Sequence, residues 1–203
     1  MKKYTFIILI LGFLVNVENS NAQSAFKNGI RAGLSLVNLH GDNVENNQEL
    51  LSFNGGYYVD YSFSSHFSIQ PEINLVFEGA SKAEVNSFPF SKVSISYIQI
   101  PVLFKINPEI TWADKIKPSF FVGPALNVNV SKDLEGEIFE NASGAFSPEQ
   151  KVNSTAWDCV LGARATIKDL YFLDLRYGYG LSDVFENGDI KSQSFTLSLG
   201  FVF

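Results

Sequence analysis

The closing stretch Ser194-Phe195-Thr196-Leu197-Ser198-Leu199-Gly200-Phe201-Val202-Phe203 decides how the whole chain is read. Its large apolar residues Phe195, Leu197, Leu199, Phe201 and Phe203 fall on every second position, with Ser194, Thr196, Ser198 and Gly200 opposing them. Side chains along a strand point alternately to opposite faces, so the segment is a strand with one apolar and one polar face. The same rhythm recurs upstream. Ile30, Ala32, Leu34 and Leu36 oppose Arg31, Gly33 and Ser35. Phe53, Gly55, Tyr57, Val59, Tyr61 and Phe63 oppose Asn54, Gly56, Tyr58, Asp60 and Ser62, and Phe67, Ile69, Pro71, Ile73, Leu75 and Phe77 oppose Ser68, Gln70, Glu72, Asn74 and Glu78. A fourth strand starts on Val93, Ile95 and Tyr97 and changes parity to Ile98, Ile100, Val102 and Phe104, with Gln99, Pro101 and Lys105 on its other face. One extra residue shifts parity in this way, so a β-bulge is expected near Tyr97. The fifth strand sets Phe120, Val122, Leu126, Val128 and Val130 against Ser119, Gly123, Asn127 and Asn129. In the sixth, Trp157, Cys159, Leu161, Ala163 and Ile167 oppose Asp158, Gly162, Arg164 and Thr166, and in the seventh Tyr171, Leu173, Leu175, Tyr177 and Tyr179 oppose Asp174, Arg176, Gly178 and Gly180.

Eight strands result, and the segments joining them alternate in length. Residues 40–51, 79–91, 131–154 and 182–191 are long and polar, residues 64–66 and 168–169 are tight turns, and residues 107–116 are intermediate. Short turns at one end and long loops at the other describe an eight-stranded antiparallel up-and-down transmembrane β-barrel of the outer membrane. Aromatic residues near strand ends on the apolar face, among them Tyr61, Phe67, Phe77, Trp157, Tyr171, Phe195 and Phe203, fit the two interfacial girdles of such a barrel.

Composition agrees. Of 203 residues, 46% are hydrophobic and 18% charged, and there are 19 Phe and 8 Tyr, so many rings must fill a core or face lipid. The mean hydropathy of +0.07 excludes a disordered chain. Fifteen Lys and Arg against 21 Asp and Glu give a formal charge of −6, which leaves no basic footprint for nucleic acid. Cys159, the single cysteine, forms no intramolecular disulfide, and with only His40 and His66 it builds no Cys/His zinc site. Residues 1–22 read as a cleaved signal peptide, with Lys2 and Lys3 ahead of the apolar run Phe6 to Val15 and the small-residue site Ser20-Asn21-Ala22. That run is well short of the roughly 20 residues of a spanning helix. Residues 23–203 are left as one barrel domain, exported to the outer membrane.

The polar face carries the candidate chemistry. Arg31, Lys105, Arg164 and Arg176 nearly balance Asp60, Glu72, Glu78, Asp158 and Asp174. Charges packed into a narrow barrel need partners, because an unpaired buried ion costs several kcal/mol. An interior network is therefore expected among Arg31, Asp60, Glu72, Lys105, Asp158, Arg164, Asp174 and Arg176, with glycines making room beside the large side chains. On this reading an arginine at Ser198, on the lumen face, is tolerated better than one at Leu173 or Leu197. Other clusters are weaker. His40 with Asp42 lacks a positioned nucleophile, and His66 falls in a turn. Asp133, Glu135, Glu137 and Glu140 match no calcium-loop spacing and read as a solvated acidic loop. Asn141-Ala142-Ser143 and Asn153-Ser154-Thr155 fit a permissive glycosylation pattern, and Cys159 falls on the lipid face as a small hydrophobe. No catalytic residue, metal or cofactor is expected.

Several segments resemble the PorT-type, or porin-family, outer-membrane β-barrel proteins of Gram-negative bacteria. They are Gly29-Ile30-Arg31-Ala32-Gly33-Leu34, Phe67-Ser68-Ile69-Gln70-Pro71-Glu72 with Gly79, and Tyr97-Ile98-Gln99-Ile100-Pro101-Val102-Leu103-Phe104-Lys105. Lys117-Pro118, Gly123-Pro124, Arg176-Tyr177, Gly180-Leu181 and Leu199-Gly200-Phe201-Val202-Phe203 follow in order. The resemblance implies an outer-membrane barrel and, in the namesake, a part in protein secretion. Phe203 closing an alternating strand resembles the C-terminal signal for outer-membrane assembly. The function expected is that of a non-catalytic integral outer-membrane protein with long extracellular loops for interaction; a secretion-apparatus component or a narrow porin is the alternative. Its partners would be outer-membrane lipid and lipopolysaccharide, the barrel-assembly machinery and an envelope protein.

Overall fold

The computed structural model of the chain describes residues 25–40, 50–80, 83–85, 88–90, 92–110, 115–135, 153–183 and 191–203. The expected signal peptide, Asp42, Glu137, Glu140 and Asn141-Ala142-Ser143 lie outside them. The strands are β1 (Phe26–His40), β2 (Leu50–Ser62), β3 (Phe67–Ala80), β4 (Ala83–Val85), β5 (Phe88–Phe90), β6 (Lys92–Ile106), β7 (Ile116–Glu135), β8 (Thr155–Ile167), β9 (Tyr171–Gly180) and β10 (Lys191–Val202). Eight of them close a barrel in the order β1-β10-β9-β8-β7-β6-β3-β2. Every neighbouring pair is antiparallel, and β1 meets β10 to close the ring, with Leu34 opposite Leu197. Closure pairs the backbone that an open sheet would expose, a requirement for strands in a hydrocarbon layer.

The parity change of the fourth sequence strand is a register shift between Ser96 and Tyr97, where β6 pairs with β7. Two stretches read as connections are strand instead. Within residues 79–91, β4 and β5 pair as a small separate hairpin, Ala83 opposite Phe90 and Val85 opposite Phe88. Each is three residues long, too short to show a period. β7 also runs beyond Val130 to Glu135, its pairing with β6 reaching Lys92. The extension carries Ser131, Asp133 and Glu135, so the apolar alternation fades while the backbone ladder continues. A ladder needs only paired amides; alternation needs two different environments.

Along the strands the apolar set faces outward. Leu34, Leu197 and Leu175, side by side on β1, β10 and β9, are 54%, 49% and 43% exposed. The polar set faces inward and is buried, Asp174, Gln70 and Ser198 almost completely. In a soluble barrel this arrangement would be inside out.

The β8–β9 turn is held by Lys168 and Asp169, both with positive φ, 54° and 56°. Positive φ at two central residues is the type I′ geometry that matches strand twist, and Asn or Gly adopts it with less strain than Lys. Lys117 Nζ lies 2.7 Å from Asp169 Oδ2, and this hydrogen bond holds the exposed carboxyl below the ordinary aspartate range. Lys168→Asn is therefore expected to stabilise the folded barrel by about 0.5–1 kcal/mol in urea titrations, the order of a relieved left-handed residue. No gain in the midpoint would mean that the turn is unstrained.

Candidate functional site in the barrel lumen

The lumen is built from residues of one strand parity, and across its waist they form a continuous charged network. Glu72 on β3 faces Arg176 on β9, the strand diametrically opposite in the ring. Arg176 Nη1 donates to Glu72 Oε2 at 2.8 Å and Nη2 to Oε1 at 3.0 Å, a bidentate pair. The same guanidinium reaches its own-strand neighbour Asp174, Nε to Oδ1 at 3.2 Å and Nη2 to Oδ2 at 2.9 Å. Arg164 Nη2 donates to Asp174 Oδ2 at 2.9 Å, and Arg31 Nη1 stands 3.5 Å from Glu72 Oε2. Gln70 and Asn74 amides complete the shell of Glu72 at 2.6 and 3.0 Å.

A second ion pair, Lys105 Nζ to Asp60 Oδ2 at 2.5 Å, lies toward the short-turn end. Gln70 Oε1 links it to the main cluster by accepting from Lys105 Nζ at 3.5 Å and Arg164 Nη1 at 3.2 Å. Toward the opposite wall Arg31 Nη2 donates to Asn54 Oδ1 at 2.9 Å and Ser198 Oγ at 2.7 Å. Asn54 continues to Ser35, which shares a hydrogen bond with Thr196. Every ion of this network has a partner of opposite charge, and Arg31 Nε, Arg164 Nε and Asn74 Oδ1 are the atoms within it left without a hydrogen bond.

Aromatic rings brace the guanidiniums. Arg164 lies 3.7 Å from the Phe172 ring centroid and 4.9 Å from that of Tyr58, and Arg176 lies 5.0 Å from that of Phe121. Two glycines make this packing possible: a Cβ at Gly200 would enter the Phe172 ring, and one at Gly162 the Phe121 ring. Leu103, Phe121, Ala125 and Val160 fill the wall formed by β6, β7 and β8. Alternation alone missed Leu103, Phe121, Val160 and Phe172, which are apolar yet point inward. Their position in the strand parity is the signal that could have found them.

Seven of the eight expected network residues are joined: Arg31, Glu72, Arg164, Asp174 and Arg176 meet at the waist, and Asp60 with Lys105 connects to them through Gln70. Asp158 is not. Its carboxylate accepts from Asn127 Nδ2 at 2.5 Å, and no Lys or Arg among the described residues pairs with it. It shares the lumen face with Arg164 but stands six residues, three repeats of the pleat, further toward the long connections, out of reach of the cluster. Ser198 corrects a second expectation. Its side chain is 1% exposed and bonded to Arg31, so an arginine there would overfill the lumen and add a like charge.

His40 ends β1, and its side chain lies outside the described residues, as do those of Glu78, Asp133 and Glu135. Cys159 is half-buried and free. His66 contacts Ser65 Oγ through Nδ1 at 2.8 Å and Glu109 Oε1 through Nε2 at 3.4 Å, a serine-histidine-carboxylate chain unforeseen in the sequence. The His66 and Glu109 side chains are 48% and 70% exposed, whereas the carboxylate that orients a catalytic histidine is buried. No three His, Cys, Asp or Glu side chains gather as a metal site among the described residues.

Solved structures share this architecture. Neisserial surface protein A is 14% identical, with a TM-score of 0.52 over 86% of this chain and 96% of its own. The outer membrane protein OprG of Pseudomonas aeruginosa is 14% identical, with a TM-score of 0.51 over 88% and 96%. The outer membrane enzyme PagL is 11% identical, with a TM-score of 0.50 over 87% and 98%. At such identities the likeness is one of fold. No curated protein matches the chain as a relative. Residues 7–203 match the outer membrane protein beta-barrel domain, and with its closed eight-stranded ring the chain belongs to that family of outer-membrane proteins.

Proposed function

We propose that the protein is a non-catalytic outer-membrane anchor whose lumen is plugged and whose long connections, on the extracellular side, bind an envelope or external partner. The observation that carries this reading is the filled lumen: three guanidiniums, the carboxylates of Glu72 and Asp174 and the rings of Tyr58, Phe121 and Phe172 share the waist of a ring of only eight strands, and the Lys105–Asp60 pair fills the next level toward the short turns. Rings of that size have an interior just wide enough for side chains. With transport disfavoured, the work falls to the ends. PagL shows that the same fold can carry an enzyme, so the fold does not decide against catalysis; the exposure of His66 and Glu109 supports the non-catalytic reading. In this account residues 1–22 are removed on export, Phe203 presents the C-terminal signal to the assembly machinery, and the apolar belt contacts lipid and lipopolysaccharide.

Planar-bilayer recording of the purified protein tests the plug. The expected result is no stable open conductance from the monomer. Large, long-lived steps would support the narrow-porin alternative. The loops are tested by replacing residues 136–152 with a short Gly-Ser segment and comparing what co-purifies from intact envelopes. A variant that still inserts and migrates heat-modifiably should lose the partner; an unchanged set would move the function elsewhere, with co-purifying secretion components favouring the secretion-apparatus alternative.

A further inference from the structure

Three neighbouring junctions of the ring skip positions in their ladders, and each does so at a proline. The pairing of β2 with β3 passes from Tyr58–Glu72 to Tyr61–Ile69, that of β3 with β6 from Pro71–Val102 to Asn74–Gln99, and that of β6 with β7 from Pro101–Ala125 to Phe104–Val122. In these registers Pro71 falls opposite Val59, Pro101 opposite Glu72 and Pro124 opposite Val102. Proline has no N–H, so the carbonyls of Val59, Glu72 and Val102 lose their ladder donors. The other five junctions, from β7–β8 round to β1–β2, run through without a skip. One wall of the barrel is therefore tied more loosely than the rest, in a layer where no water replaces a missing bond.

The side chains decide which of the three junctions can part, because opening one exposes its inward residues to acyl chains. Beside the β2–β3 skip these include Asp60, Gln70 and Glu72, and beside the β3–β6 skip Glu72 and Asn74, all members of the polar network. Parting there would bring ions into hydrocarbon. The β6–β7 junction differs. Its inward residues are Pro101 and Leu103 of β6 and Phe121, Gly123 and Ala125 of β7, backed by Val160 of β8. Outside lie Ile100, Phe104 and Val122, 40%, 55% and 49% exposed. The junction is apolar on both faces at the level of its missing bond. A Cβ at Gly123 would run into the Val102 carbonyl oxygen, so the strands lie close at rest.

From this coincidence we infer that β6 and β7 part laterally between residues 100–104 and 122–126, and that an acyl chain of a surrounding lipid enters the gap and reaches Leu103 and Val160. The occupant is hydrocarbon because the outer rim is continuous with the lipid-facing belt and the inward residues at this level offer no hydrogen-bonding side chain. No preformed cavity is required, since the chain lies where the strands separate. The ion pairs of the waist join β1, β3, β8 and β9, so the plug stays in place while the seam opens. The inference rests on the outward face meeting lipid and is independent of the plug.

The test uses the full mature barrel in lipid nanodiscs, deuterated except for the Leu and Val methyl groups, with protonated acyl chains. Nuclear Overhauser contacts from acyl methylenes are expected at outward Leu197 and also at inward Leu103 and Val160, but not at Val37, which points inward on the continuous wall and is 2% exposed. Amides of Val102, Leu103, Phe104 and Val122 should exchange about tenfold faster than those of Leu197, Ser198 and Leu199, the order of one lost hydrogen bond. Pro124→Ala or Pro124→Val, on the exposed face, restores an N–H opposite Val102 and should slow that exchange and abolish the contacts at Leu103 and Val160. Acyl contacts confined to outward residues in the wild type, contacts that survive both substitutions in a folded barrel, or exchange no faster than on β10 would each overturn the proposal.

Discussion

Replacing Arg176 by alanine is expected to destabilise the inserted barrel by about 3–5 kcal/mol, measured by urea unfolding in vesicles or by the temperature at which heat-modifiable migration is lost. The size follows from what the substitution strands. Glu72 and Asp174 have side chains that are 0% exposed, and Arg176 is the residue that bonds to both. Without it Asp174 keeps Arg164, but Glu72 keeps only two amides and Arg31 at 3.5 Å. A buried charge with its main partner removed is far more costly than an intact pair is stabilising. The ring of Phe121 loses its cation as well. Combining Arg176→Ala with Glu72→Gln should recover part of the loss, because the stranded charge goes with it and Arg164 with Asp174 is untouched. Coupling of about 0.5–3 kcal/mol is the range for residues in one network. A single variant within about 0.5 kcal/mol of the wild type would mean that water hydrates these charges, and the plug with it would fail.

The two partners of that pair are 104 residues apart in sequence, and the reason the sequence could not join them is geometric. Alternation assigns Glu72 and Arg176 to the same surface, because lipid and lumen make opposite demands on successive residues. It does not give depth. Which residues share a level depends on the stagger accumulated from strand to strand around the closed ring, and that shear is a property of the whole sheet. Asp158 shows the consequence: it is on the right face and at the wrong height. Near-neutrality pointed to pairing without naming the pairs. The inward rings were hidden for a different reason. Phe121 and Phe172 look like lipid-facing residues by type, and only their neighbours, Gly162 and Gly200 across the ladder, show that room was kept for them inside. Ser198 was placed on the correct face too, yet how full the lumen is around it depends on Arg31 from another strand.

Leu197→Arg gives the second large effect, a loss of about 2–4 kcal/mol, the cost of arginine on the lipid face near the bilayer midplane. Leu197 sits between Leu34 and Leu175 in the middle of its strand, and all three project away from the lumen. Depth supplies the control that Ser198 cannot. Leu181, just past the long-connection end of β9, is also exposed, at 54%, but an arginine there can reach the headgroups, where the cost falls to about 0–1 kcal/mol. Folding yield and urea midpoint in phospholipid vesicles should therefore separate Leu197→Arg from Leu181→Arg, while the two variants should differ little in a micelle that deforms around the added charge. The contrast is specific to a slab of hydrocarbon. If water covered the outer face, an arginine would be accepted equally at both heights, and the outward-facing leucines would need another layer of protein to cover them. Equal yields in vesicles would thus reverse the assignment of faces on which the proposed plug depends.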